Sequence, residues 1–204
     1  MAQGRSSTRT GTSAETKRKL VDGARELLST VGYGGATARA IGAASGCNQA
    51  LVFYHFGSLH RLLLAALDAS SGERLARYRE ELAQAKGIRQ VLQVVRRLQR
   101  EDRDSGHVTV LAQMVAGGAQ DPELGAEVAA RVEPWVALTR EAVLQTVPTA
   151  ALRRRLPVDQ IADAVVAMSL GLELLSILSG DHRRADAVFD RMAGSRSLLV
   201  RLLE

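Results

Sequence analysis

The chain is short of the residues that staple, rigidify or catalyse. Its one cysteine, Cys47, excludes an intrachain disulfide framework and is too little for a structural zinc site. Aromatic residues make up only 3% of a chain whose apolar fraction is an ordinary 46%. That apolar mass is Ala, Leu and Val, and few stretches alternate strictly between apolar and polar positions, so helices are expected and strands are not. The four histidines (55, 60, 107 and 182) are scattered, with no HExxH, no GxSxG, no phosphate loop and no carboxylate pair on a common face. Turnover is not expected, nor is a bound metal or cofactor. The N-terminal stretch MAQGRSSTRTGTS lacks the apolar segment of a signal peptide. The most apolar window, Ile161 to Leu178, is interrupted by Asp163 and Glu173 and reads as a buried helix, with no membrane partner. A cytoplasmic location is expected by default.

What is present is unevenly placed. Eight of the 27 basic residues but only three of the 22 acids fall in residues 1–61, which leaves nineteen of each beyond. The whole formal excess of +5 therefore lies in the first third of the 204 residues. A basic segment ahead of a neutral body points to a polyanion partner for that segment alone.

Punctuation divides the chain into helices. Residues 1–13 are rich in Ser, Thr, Gly and Arg and read as a disordered basic arm. Leu20, Ala24, Leu27, Leu28 and Val31 follow helical spacing up to Gly32. Thr37 is a natural N-cap for a short helix through Ser45, with Ile41 and Ala44 facing inward; Gly46 ends it. Asn48 caps a third short helix, Gln49 to His55, and Ser58 a long fourth one carrying Leu62, Leu63, Ala66 and Leu67. Two short helices joined by a tight glycine turn and covered by a supporting helix form a helix-turn-helix, whose second short helix enters the major groove. Residues 14–60 are thus assigned to DNA binding and 61–204 to a helical body, about nine helices in all.

Within QALVFYHF, Val52, Phe53 and Phe56 can form a core face, which leaves Gln49, Ala50, Tyr54 and His55 outward. Gln49 can bond adenine in bidentate fashion, and Asn48 can reach a phosphate or base edge. Tyr54 and His55 suit phosphates at the groove rim, though both can also serve simply as packing or surface residues. Thr37 and Ser58 stand at helix starts, whose free amides bind phosphate, and Arg39 adds a cation. Arg5, Arg9, Lys17, Arg18 and Lys19 would add salt-sensitive affinity, although a solvated tail accounts equally well for the first two. Cys47 reads as a small apolar residue of the turn.

From Thr16 to Leu64, TKRKLVDGARELLSTVGYGGATARAIGAASGCNQALVFYHFGSLHRLL resembles the N-terminal domain of TetR/AcrR-family regulators. The resemblance lies in Gly32-Tyr33 closing the first helix, in Thr37-x-x-x-Ile41, in the Ser45-Gly46 turn, and in a Tyr-x-His-Phe-like end to the recognition helix. It implies an all-α, dimeric, usually repressing protein that binds double-stranded operator DNA and carries a ligand-binding body. Three positions depart from the pattern. Phe53 replaces the usual Tyr, Leu59 a common Lys, and Leu51 a small residue where it can meet a thymine methyl. The operator of relatives is therefore no guide to this one.

Beyond residue 70, amphipathic or capped segments are expected over Ile88–Arg100, over His107–Ala119, from Asp121-Pro122-Glu123 towards Val147 with a kink or restart at Pro134, from Leu156-Pro157 to Gly180, and from Arg184 to Leu203. The resemblance implies an effector pocket among the middle helices; His107, Leu111, Met114, Val115, Trp135 and Leu138 are candidate lining, with Val143, Gln113, Glu133 and Glu173 alongside. Met and Trp favour an apolar effector. It also implies that the last two long helices pair with a second copy. Ile161, Val165, Met168, Leu172 and Leu175 form one apolar stripe, and Val166, Leu170, Leu174 and Ile177 another, joined by Phe189, Met192, Leu198, Leu199 and Leu202. A helix apolar on two sides needs cover on two sides, from a homodimer or from a thick monomeric core. A helical interaction protein with a fortuitous basic end is the remaining rival, and it predicts charge scattered over the body.

Overall fold

The computed structural model describes residues 6–102, 105–147 and 149–194, with side chains from residue 13 to residue 191 of those ranges. Among the described residues ten α-helices follow one another: α1 Ser6–Thr30, α2 Ala38–Ala44, α3 Ala50–Phe56, α4 Leu59–Gln84, α5 Ile88–Glu101, α6 His107–Gly118, α7 Pro122–Thr146, α8 Ala150–Arg155, α9 Val158–Ser179 and α10 Arg183–Gly194. A 3-10 turn, Tyr33–Gly35, links the first two, and no strand occurs among the described residues. The all-α expectation holds.

The starts of these helices are set by side chains that satisfy the free amides of the first turn. Thr37 Oγ1 accepts from the Ala40 amide at 3.2 Å, Ser58 Oγ from Arg61 at 3.2 Å, and Thr149 Oγ1 from Leu152 at 3.3 Å. Asp121 Oδ1 accepts from both Glu123 and Leu124 at 3.1 Å, ahead of Pro122, which has no amide proton to satisfy.

Four expectations need correction. Helix α1 begins at Ser6, so residues 6–13 are helical and not a disordered arm; a helix nucleated on a buried stripe extends outward at little further cost. Helix α7 runs as one element through Pro134, so the helix does not restart there. The segment before Pro157 holds a short helix of its own, α8, started by the Thr149 cap. Helix α9 is not buried within the chain: only Ala162 and Ser176 are, while Leu175, Ile177 and Leu178 are exposed. By length and composition α9 is long and apolar enough to cross a membrane, and α3 with α4 passes the same test as a pair bent by 70°.

The chain divides into two compact units, residues 1–71 with 109–129, and residues 72–108 with 130–204. In the first, Leu20, Ala24 and Leu28 of α1, Ile41 of α2, Val52 of α3, and Leu62, Leu63, Ala66 and Leu67 of α4 are buried. Val110 and Met114 of α6 are also fully enclosed in that unit. In the second, Tyr78 and Leu82 of α4, Val91 and Leu98 of α5, and Leu138 and Ala142 of α7 form one apolar cluster. Ion pairs tie α10 to α5 there: Arg100 Nε lies 3.3 Å from Asp186, and Arg96 pairs with Asp190.

Candidate nucleic-acid interface

Two short helices can present a rigid face only if they are pinned to each other, and the pin here is a glycine. A Cβ placed on Gly42 of α2 would lie 2.9 Å from the Cys47 carbonyl oxygen and 3.1 Å from the Gln49 amide. Nothing larger than hydrogen fits between α2 and the start of α3. Ile41 and Val52, both fully buried, hold the pair from beneath. Ser45 Oγ donates to the Ile41 carbonyl at 2.6 Å and the Cys47 amide to Gly42 at 2.8 Å, which close the turn. Cys47 is half-buried in it, as a small turn residue should be.

The outer face carries most of the residues assigned to DNA. Asn48, Gln49 and Ala50 are exposed at the start of α3, and the Asn48 side-chain oxygen accepts from the Ala50 amide at 2.8 Å. Its amide nitrogen stays available to an acceptor. Tyr54 is 80% exposed and packs edge-on against His55 at 4.9 Å between ring centres. Thr37 and Arg39 are exposed on α2; Leu51, His55 and Ser58 are half-buried. Two residues depart from the expected core side. Ala44 is exposed, its inward place taken by Gly42, and Phe53 is 53% exposed beside Tyr54. Val52 is the buried residue of α3, with Phe56 half-buried one turn on, and Phe53, about 100° further round the helix, falls on the outer side. Phe53 is thus an outward residue that apolar patterning misplaced; the departure from Tyr at that position was the signal for it.

Lys17, Arg18 and Lys19 are exposed on α1, with Lys19 Nζ 2.9 Å from Glu15. Arg61 is exposed as well, near the start of α4. Arg5 lies outside the described residues, and Arg9 falls in α1 where side chains are not described.

Behind the face, within the same unit, stands an anchor the sequence did not reveal. The Tyr33 amide donates to Gln113 Oε1 of α6 at 3.0 Å, and its hydroxyl lies 3.2 Å from His60 Nε2. His60 Nδ1 is in turn 3.7 Å from the Asp121 carboxylate at the start of α7. The Tyr33 ring lies flush on Gly117, where an added Cβ would come within 2.6 Å of ring carbons. Partial burial, with Asp121 adding to it, holds the Tyr33 phenol above its usual pKa. Gln113 was expected as pocket lining; here its side-chain carbonyl is spent on the Tyr33 backbone.

Residues 20–66 match the family profile "Bacterial regulatory proteins, tetR family". Over that stretch the chain is similar to the TetR family. Solved structures extend the likeness in fold over most of the chain. A fatty acid degradation regulator FadR from Bacillus halodurans superposes with a TM-score of 0.74 at 13% identity, over 89% of this chain and 96% of that one. A member of the TetR family from Streptomyces coelicolor A3 gives 0.65 at 22%, over 87% and 97%. The multidrug binding protein EbrR, complexed with imidazole, gives 0.58 at 22%, over 89% and 97%. No curated protein sequence matches the chain. The matched stretch carries Arg25, Arg39 and Arg61, and Arg5, Arg9, Lys17, Arg18 and Lys19 precede it.

The six residues expected to line an effector pocket fall in both units. Leu111 and Met114 are buried and Val115 is 47% exposed in the first. His107, Trp135 and Leu138 belong to the second. There His107 is buried 6.1 Å from Trp135 between ring centres, and burial, with Arg74 adding to it, lowers its pKa to about 3. It is neutral at physiological pH.

Proposed function

We propose that the chain is a cytoplasmic, homodimeric transcriptional repressor that leaves its operator when a small molecule binds in the helical body. The observation that carries the DNA-binding part is the exposed row of Asn48 and Gln49 at the start of α3 and Ala50 and Tyr54 on it, held rigid by the Gly42 crossing inside a TetR-type domain. In this reading Gln49 and Asn48 read base edges, and Ala50 and Leu51 meet thymine methyls. Thr37, Arg39, Tyr54, His55 and Ser58 hold phosphates and set the register. Residues 14–60 form the DNA-binding part and 61–204 the body for effector and partner.

The homodimer is supported by α9. Ile161, Val165, Met168 and Leu172 are only half-buried and Leu175 is exposed, an apolar row that no part of the described chain covers fully. Asp163, exposed on the same helix, would be costly in lipid and sits easily at the rim of a protein interface. Phe189 is buried beside it in the same unit; Leu199 and Leu202 lie outside the described residues. Two subunits related by a two-fold axis would set two α3 helices in successive major grooves of a near-palindrome.

Release by an effector is supported by the fold shared with a multidrug binding protein and by the Trp135–His107 end of the second unit. Coupling requires the effector to bind the non-DNA-binding arrangement more tightly, whatever path connects them. Footprinting on the chain's own upstream DNA tests the reading. A protected near-palindrome is expected; binding that makes no distinction between that region and random duplex would overturn it.

A further inference from the structure

Among the described residues where α4 meets the end of α5, two arginines face one buried carboxylate. Arg74 Nε donates to Asp102 Oδ2 at 2.8 Å, and Arg77 pairs with the other carboxylate oxygen. Asp102 is buried, its side chain 7% exposed, and Arg74 is nearly so at 14%. Two guanidinium groups thus share one carboxylate, both of whose oxygens are occupied. Of the acids on the neighbouring turns, Glu81 and Glu101 are already engaged by Arg97. Arg74 Nη1 and Arg77 Nε remain buried donors without a hydrogen-bond partner among the described residues. His107 adds no negative charge, being neutral.

Aromatic rings stand around this cation. Arg74 lies 5.6 Å from the Trp135 ring centre and 6.0 Å from that of Tyr78, and the two rings meet edge-on at 5.3 Å. Tyr78 continues into the apolar cluster of Leu82, Leu98 and Leu138. Arg77, with 42% of its side chain exposed, connects the group to solvent. The Arg74–Asp102 pair is neutral and the second cation, Arg77, reaches solvent, so what an anion would complete is the unused Arg74 Nη1, and the guanidinium fork fits a carboxylate. Aromatic and aliphatic walls beside it would take an apolar body.

We infer that the Arg74–Trp135 end of the second unit binds a carboxylate carried on an apolar or aromatic body, with Arg74 Nη1 donating to it. This rests on the ligand-controlled reading above and names the class of effector. The carboxylate shares the cation with Asp102; no proton or covalent bond changes hands.

Trp135 is the only tryptophan, so its emission reports the site directly. The full chain is titrated with 2-naphthoate and octanoate, and with 2-naphthamide and 1-octanol as neutral counterparts. Both acids are expected to change Trp135 emission saturably, with each neutral compound at least about tenfold weaker, as loss of a charge-assisted bond implies. Arg74→Met, checked by circular dichroism, should remove that preference. Asp102→Asn, which frees the guanidinium groups from a competitor, should tighten the acids several-fold and tests the site even where Arg74→Met does not fold. Equal binding of acids and neutral compounds, acid binding indifferent to Arg74→Met, or no saturable response to either acid would each overturn the assignment. Titrating the operator complex in parallel separates the two claims. Neutral compounds that bind and release DNA would leave ligand control standing without the carboxylate. Acids that bind at Trp135 without changing operator affinity would leave the site standing without the release.

Discussion

Gln49 is exposed at the start of α3 with its side chain uncommitted to any cap, whereas Asn48 spends its oxygen on the Ala50 amide. On the proposed reading, base contacts therefore fall mainly to Gln49. Gln49→Ala should cost about 1–3 kcal/mol of discrimination at one base pair and leave folding intact, as a binding-site selection read against wild type will show. Gly42 acts differently. Gly42→Ala sets a methyl 2.9 Å from the Cys47 carbonyl, so α2 and α3 must separate. Thermal unfolding should show a loss of about 1–3 kcal/mol, and DNA affinity should fall even though no contact residue has changed. Gly117→Ala makes the matching test behind the face, since its methyl would meet the Tyr33 ring at 2.6 Å.

At the scale of elements, the features that punctuate a helix were legible. Thr37, Ser58 and Asp121 cap where their types and neighbours say they should, because capping depends on a few adjacent residues. Long-range choices were not. Phe53 looked like core by spacing, yet it is 53% exposed while its neighbour Val52 is fully buried. The Tyr33–Gln113–His60 anchor joins residues some eighty positions apart, and no local pattern encodes such a meeting. Helix α9 shows the same division: its apolar character was plain, but a single chain leaves Leu175, Ile177 and Leu178 exposed. Because Leu178 is 83% exposed, Leu178→Glu should alter the fold of one chain by no more than about 0.5 kcal/mol. On the interface it should act strongly, moving the protein from dimer to monomer in sedimentation at micromolar concentration. A variant that stays dimeric would move the interface away from that end of α9.

For the molecule as a whole, charge and burial set how it responds to solution conditions. His107 titrates near 6.5 in an unfolded chain but near 3 in the folded one, chiefly because it is buried. Between those values the unfolded chain holds a proton that the folded chain does not. Stability contributed by the neutral ring is therefore full above pH 6.5 and is lost as pH falls towards 3, by at most about 1.4 kcal/mol per pH unit. Comparing denaturant midpoints of wild type and His107→Gln across pH 4–8 isolates this slope, which the variant should lack. The excess charge of +5, confined to residues 1–61, should in turn make DNA binding fall steeply with salt. The most direct test of the central claim is fluorescence anisotropy of the full chain on its upstream DNA at rising salt, with Gln49→Ala and Tyr54→Ala beside the wild type. The account predicts tight, salt-sensitive binding, with Gln49→Ala losing preference for that sequence and Tyr54→Ala weakening all duplexes alike. Wild-type affinity in both variants would contradict it.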